Sequence, residues 1–272
     1  MPEQRPGEGR FAAAHAVHVW HGRGADELSP ADLDILDEDE LRLVRARRAP
    51  HDAHYASAHA AMRRVFADHY LGGSPARIAF GRHDCPRCGE SAHGRPRILA
   101  PATGLEFSLS RTGAHWALAV TAGERIGIDV ECGDRAGQAA EHAARIALSE
   151  RETAELRALE HPAARREFFL TAWTRKEAVL KAVGTGIATD LGSVEAAPAR
   201  PGPVRVEFTG TAPWAPAAQG APGTATATGP GWIVEELPLG EGLFAALARE
   251  EGRRGPVVLR PAEPARKGTV AV

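Results

Sequence analysis

Only three cysteines, Cys85, Cys88 and Cys132, occur in 272 residues, an odd and small number that excludes a disulfide framework. No uninterrupted apolar run approaches the roughly 18 residues of a membrane span. The stretch from Phe11 to Trp20 is broken by His15 and His18, unlike the core of a signal peptide, so the expected location is the cytoplasm. Charge of one sign is lacking too: 33 basic against 35 acidic residues leave a formal net charge of −2. No global field draws such a chain onto nucleic acid or an anionic membrane, and any phosphate it binds must be held by a local site. Gly and Pro, at 29 and 20 residues, stay below the share typical of low-complexity disorder, and the length is ample for a buried core. Lysine is scarce. Lys176, Lys181 and Lys267 are the only three, and the first two fall within one six-residue window. Arg and Lys differ in shape and hydration, so this pair draws attention to its segment.

What is present gives a two-part plan. The first 15 residues are polar and read as a loose lead-in. Ser29-Pro30 suits a helix cap and first turn and opens a helical stretch over 29–48; Pro50 separates it from a second over about 52–71, closed by Gly72-Gly73. Residues 77–80 predict a short strand and 83–96 a loop. Phe107 and Leu109 alternate with Ser108 and Ser110, Trp116, Leu118 and Val120 with Ala117 and Ala119, and Ile126, Ile128 and Val130 with Gly127, Asp129 and Glu131. This alternation predicts a three-stranded antiparallel meander. Helices near 149–160 and 164–183 and strands at 204–208, 232–237 and 243–248 repeat the plan, which suggests an internal duplication with halves at 16–125 and 126–250. An Ala/Pro/Gly-rich loop at 212–231 interrupts the second meander, and 251–272 read as a disordered tail.

Four groups of residues offer chemistry. In Gly127-Ile128-Asp129-Val130-Glu131, side chains two apart on a strand share a face, so Asp129 and Glu131 project together about 7 Å apart. At an effective dielectric near 20 their repulsion is roughly 2 kcal/mol, which a hard cation such as Mg²⁺ relieves with oxygen ligands; a solvated strand face has the same pattern. In Trp173-Thr174-Arg175-Lys176-Glu177-Ala178-Val179-Leu180-Lys181, Trp173, Glu177 and Lys181 line the border of an apolar helical stripe. Lys176 falls inside that stripe, where it needs an anion or must snorkel to water. The turn Ser110-Arg111-Thr112-Gly113, with Gly94-Arg95-Pro96 upstream, either presents donors to a phosphate or simply closes a hairpin. Cys85-Pro86-Arg87-Cys88, flanked by His83 and His93, has the spacing of half a zinc site, or is a reduced structural loop.

The order of these elements is specific. Arg111 in a turn, then Gly-Ile-Asp-Val-Glu, then, about 40 residues on, Phe-x-x-x-x-Trp-x-x-Lys-Glu-Ala-x-x-Lys with Gly184 and Gly186 behind it, resembles the 4′-phosphopantetheinyl transferases, in particular the monomeric, pseudo-duplicated Sfp-type branch. The resemblance runs from about residue 28 to about residue 248. It implies an α+β fold of two pseudo-symmetric subdomains, each a helix on a small antiparallel sheet, with the active site in the cleft between them. It implies a Mg²⁺ ion held by Asp129, Glu131 and Glu177, coenzyme A as substrate, and an apo acyl or peptidyl carrier protein of a polyketide or nonribosomal peptide synthase as acceptor, with adenosine 3′,5′-bisphosphate released. Lys176 and Lys181 are then expected at the pyrophosphate, with Glu177 or a metal-bound water taking the proton. Ser110 and Arg111 stand where the family has a serine-histidine pair, and Arg111 is expected at the 3′-phosphate, with Arg48 and Arg95 as further basic residues for coenzyme A. An inactive coenzyme A-binding scaffold of the same fold is the alternative; a kinase lacks its phosphate loop here.

Overall fold

The computed structural model describes residues 11, 13–91, 93–133, 146–186, 189–209 and 231–262. It is an α+β fold with strands β1 (Val17–Arg23), β2 (Ala79–Arg82), β3 (Pro96–Ala100), β4 (Leu105–Thr112), β5 (His115–Ala122), β6 (Ile126–Cys132), β7 (Val194–Glu195), β8 (Val204–Phe208), β9 (Trp232–Glu236), β10 (Leu243–Glu250) and β11 (Val257–Pro261). The helices are α1 (Pro30–Leu33), α2 (Glu38–Arg45), α3 (His51–Phe66, continued by a π-helical turn over Ala67–Leu71), α4 (Glu150–Ala158) and α5 (Pro162–Val183). Strands are ordered β11-β1-β5-β4 in one sheet, β6-β10-β9-β8-β7 in a second, and β2-β3 in a small third. No helix among the described residues is long and apolar enough to cross a membrane.

The alternation of side chains decides how these layers stack. Trp116, Leu118 and Val120 of β5 and Phe107 of β4 meet Ala58, Met62, Val65 and Phe66 of α3. The opposite face of the same sheet, with Val17, Val19, Ala117 and Ala119, packs on Ile126, Ile128, Val130, Ala245 and Leu247 of the second sheet. The far face of that sheet, with Val204, Val206, Trp232, Val234, Ala246 and Ala248, is covered by Ala178, Val179, Ala182 and Val183 of α5. Each sheet thus has one covering helix, and the two sheets share a core.

Several expected elements are redrawn. The stretch 29–48 is two helices, because Asp37 starts a new one with a capping box: its side chain accepts from Glu40 N at 2.9 Å and Asp37 N donates to Glu40 Oε2 at 3.1 Å. The first meander stops at two strands. β6 pairs with β10 instead of β5, because its inward residues Ile128 and Val130 belong to the core between the sheets. The sheet with β4 and β5 is not purely antiparallel either, since β11 runs parallel to β1, with Val17 opposite Val257 and Val19 opposite Leu259. Part of the expected tail is therefore a strand, held by burial of Val257 and Leu259. The remainder of that tail, 263–272, and nearly all of the expected loop, 210–230, lie outside the described residues.

Candidate active site

β6 is an edge strand, and its outward backbone N–H groups find hydroxyls in place of another strand. Ser108 Oγ accepts from Ile128 N at 3.2 Å, Ser110 Oγ from Val130 N at 3.2 Å, and Thr112 Oγ1 from Cys132 N at 3.3 Å. Alternate positions on β4 supply all three, as a strand period of two requires. Two of these hydroxyls also meet the acids of β6. Ser110 Oγ donates to Asp129 Oδ1 at 2.8 Å, and Thr112 Oγ1 to Glu131 Oε2 at 2.9 Å.

α5 delivers the other half of the site. It lies so close to β6 at Gly127 that an added Cβ there would stand 2.6 Å from Ala182 N, and closer still to the Ala178 carbonyl oxygen. Only a residue without a side chain permits that approach. Glu177 and Lys181 each precede one of these alanines and are carried to the acid strand. Lys181 Nζ donates to Asp129 Oδ1 at 2.6 Å and to Ser110 Oγ at 2.8 Å.

The electrostatics are lopsided. Burial pushes the Glu177 carboxyl above its usual pKa, Asp129 and Glu131 push it the same way, and Lys181 opposes. Glu131 is raised by burial and by Asp129, against its bonds to Thr112 and Trp173 and the charge of Lys181. Three carboxylates therefore feel one another across the β6–α5 contact. Asp129 is 3% exposed, and its Oδ2 atom is buried with no hydrogen-bond partner among the described residues. A buried carboxylate oxygen without a donor is costly, and all-oxygen donors with surplus negative charge are what a hard divalent cation takes. Asp129, Glu131 and Glu177 carry oxygen donors of that kind, although among the described residues they do not form a set of three ligand atoms all within 4.8 Å of one another.

The remaining expected residues are placed less uniformly. Lys176 does not reach this cluster. It is fully buried, its Nζ 2.5 Å from Glu152 Oε2 and donating to the carbonyls of Ala147 at 2.6 Å and Leu191 at 3.0 Å. Its anion is the internal Glu152, which also sits in the capping box of α4, where Ser149 Oγ accepts from Glu152 N at 3.1 Å. Ser110 is committed to Asp129 and Lys181, whereas Arg111, its neighbour on β4, points to the other face. There its guanidinium lies 4.4 Å from the centre of the Tyr55 ring of α3. Arg48 is exposed; it is Arg47 whose guanidinium stacks on the same ring, at 4.1 Å, because the turn after α2 sends the two neighbours in different directions. Burial lowers the pKa of Arg111, Tyr55 opposes that, and the charge of Arg47 lowers it further, a repulsion an anion would relieve. Arg95 packs its stem on Gly184 at the end of α5 and pairs with Glu106. Glu106 and Ser110 lie four residues apart on β4, so Arg95 joins the site about 13 Å along that strand.

Sequence reasoning missed Arg47 and Tyr55, and read Thr112 as a phosphate donor or hairpin residue where it bonds Glu131 and Cys132 N. The signal for that role was the alternating Ser108-x-Ser110-x-Thr112 pattern. Arg47 and Tyr55 had none, since their meeting depends on how α2 folds onto α3. That docking is set by Arg63, fully buried, which donates to Asp37 at 2.6 Å and to Glu40 at 2.7 Å.

Residues 125–226 match the family model of the 4′-phosphopantetheinyl transferase superfamily. The matched segment holds Asp129, Glu131, Glu177 and Lys181, while β4, with Ser110 and Arg111, precedes it. The match supports phosphopantetheinyl transfer in general, with coenzyme A and carrier proteins as the partners the family implies. No curated protein sequence matches the chain.

Proposed function

We propose that the chain transfers the 4′-phosphopantetheine moiety of coenzyme A to a serine of an apo acyl or peptidyl carrier protein of a polyketide or nonribosomal peptide synthase, acting in the cytoplasm as a monomer of the Sfp type. The observation that carries this reading is the unpartnered, buried Asp129 Oδ2, on a carboxylate whose charge raises the pKa of both Glu131 and Glu177, in the segment that matches the superfamily. When bound there, Mg²⁺ supplies Lewis-acid neutralisation of diphosphate charge.

The chain's own residues account for the other requirements. Lys181, already aimed into the cluster, gives the diphosphate an ammonium and holds Asp129 in place. Arg111 and Arg47 form a cationic pair on Tyr55 suited to the 3′-phosphate, where a planar guanidinium grips two oxygens at once. The serine proton goes to Glu177 or to a water held beside it, the two acceptors the site offers. The serine oxygen forms a bond to the β-phosphorus, the bond from that phosphorus to the bridging oxygen breaks, and adenosine 3′,5′-bisphosphate leaves with the electron pair.

The test is to incubate the protein with coenzyme A, Mg²⁺ and a set of apo carrier proteins and weigh the carriers. A gain of one phosphopantetheine on a carrier serine is expected. Coenzyme A binding with no gain on any carrier would favour a scaffold of the same fold.

A further inference from the structure

Outside the acid cluster, the connection between β2 and β3 holds a second set of metal-type donors. Cys85, Cys88 and His93 present ligand atoms that all lie within 4.8 Å of one another, and Cys88 Sγ is 3.2 Å from His93 Nε2. The local backbone explains the convergence. Gly89 N donates to the Cys85 carbonyl at 2.9 Å and Cys85 N to the Glu90 carbonyl at 2.9 Å, so the chain doubles back within five residues. Gly89 makes that reversal with φ at 77°, a left-handed conformation suited to glycine. Pro86 stands between the cysteines, and Cys85 is 2% exposed while Cys88 faces solvent. The turn therefore leaves one thiol inside and one outside, with the imidazole closing the third side.

We infer that Cys85, Cys88 and His93 bind a zinc ion, with water in the fourth position. Zinc takes thiolate sulfur at about 2.3 Å and imidazole nitrogen at about 2.0–2.1 Å, which sets donors roughly 3.5–3.8 Å apart around a tetrahedron. One pair stands at 3.2 Å and all three atoms lie within 4.8 Å of one another, so metal entry asks for side-chain adjustment and no refolding of the loop. Soft sulfur donors select zinc over the hard ion of the acid cluster, which keeps the two sites chemically distinct. The disposition points to a structural role. Residues 83–95 form a long connection for two short strands, tied at its base by His83 N donating to the Arg95 carbonyl at 2.8 Å and Arg82 Nη1 to the Gly94 carbonyl at 2.8 Å. A metal near its tip fixes the loop from the other end, and with it Arg95, whose stem rests on the end of α5.

The experiment uses full-length, tag-free protein purified under reducing conditions. Elemental mass spectrometry is expected to find about one zinc per chain, falling to about a tenth or less in Cys88→Ser and His93→Ala. Both positions have solvent access, so these variants are expected to fold, as circular dichroism would verify; Cys85, being buried, is the poorer probe. Replacing zinc by Co²⁺ should give thiolate-to-cobalt charge-transfer bands that vanish in Cys88→Ser and persist in Asp129→Ala, since cobalt at the carboxylates has no sulfur ligand. Metal-free wild-type protein that also lacks the cobalt bands on loading would overturn the inference. So would full zinc stoichiometry in Cys88→Ser.

Discussion

Replacing Gly127 by alanine tests the contact on which the site is built. The added Cβ would stand 2.6 Å from Ala182 N and nearer still to the Ala178 carbonyl oxygen. Both obstacles are backbone, so no rotamer change relieves them, and α5 must retreat from β6 by about 1.5 Å to reach ordinary van der Waals separation. Overpacking of this kind costs about 1–3 kcal/mol, and each kcal/mol lowers Tm by roughly 2–4 °C in a chain of this size. Activity should suffer more than stability. Glu177 and Lys181 move with the helix while Asp129 and Glu131 stay on the strand, and a misplacement of about 1 Å between reacting groups costs on the order of 100-fold. Thermal melts by circular dichroism and carrier-protein mass shifts over time read the two effects separately. A variant with wild-type Tm and a kcat/KM within about twofold would refute the idea that this close approach assembles the site.

Three further outcomes follow from particular groups. Lys176→Met strands buried Glu152 and should cost about 3–5 kcal/mol, with part of it recovered in Lys176→Met/Glu152→Gln, which removes the charge and keeps an acceptor for Ala196 N; urea melts check this, and kcat/KM of the folded double variant should stay near wild type. Arg111→Ala and Arg47→Ala should each raise KM for coenzyme A more than for 3′-dephospho-coenzyme A, and equal losses would remove these residues from the 3′-phosphate. In chelated protein, Glu131 and Glu177 have folded pKa values above the usual 4.5, so the folded chain binds their protons more tightly than the unfolded chain. The resulting stability is full below about pH 4.5 and is lost as pH rises through the folded values. Melts in EDTA from about pH 4 to about pH 8 should therefore show Glu131→Gln gaining on wild type as pH rises, and saturating Mg²⁺ should erase that gain.

The sequence was most legible where one pattern had one physical solution. Asp129 meets Lys181, and its charge reaches Glu131 and Glu177, because strand and helix periods put them on facing borders, and Gly127 lets those borders touch. Lys176 was misread because an apolar stripe shows that a buried lysine needs an anion without showing which one; Glu152 lies on another helix and no periodicity connects them. β1 went unseen because His18 reads as a break in an apolar run. It is buried, accepts or donates at Nδ1 with Tyr70 Oη at 2.8 Å, and has its pKa lowered to about 4, first by burial and then by Arg260 and His69. It is a neutral core residue in a strand whose alternation was already written as Val17-His18-Val19. β11 was obscured for a related reason, since its partner is β1, at the other end of the chain.

The seam between β4 and β6 has one more consequence. A slide of two residues would part Ser110 from Asp129 and Thr112 from Glu131 and would leave one outward amide of β6 facing Glu106 or Ala114, which has no hydroxyl to offer. The apolar contacts between the sheets already specify this alignment, and the paired acids and hydroxyls make the same choice from the polar side, so the seam that holds the edge strand also holds the reactive carboxylates in register.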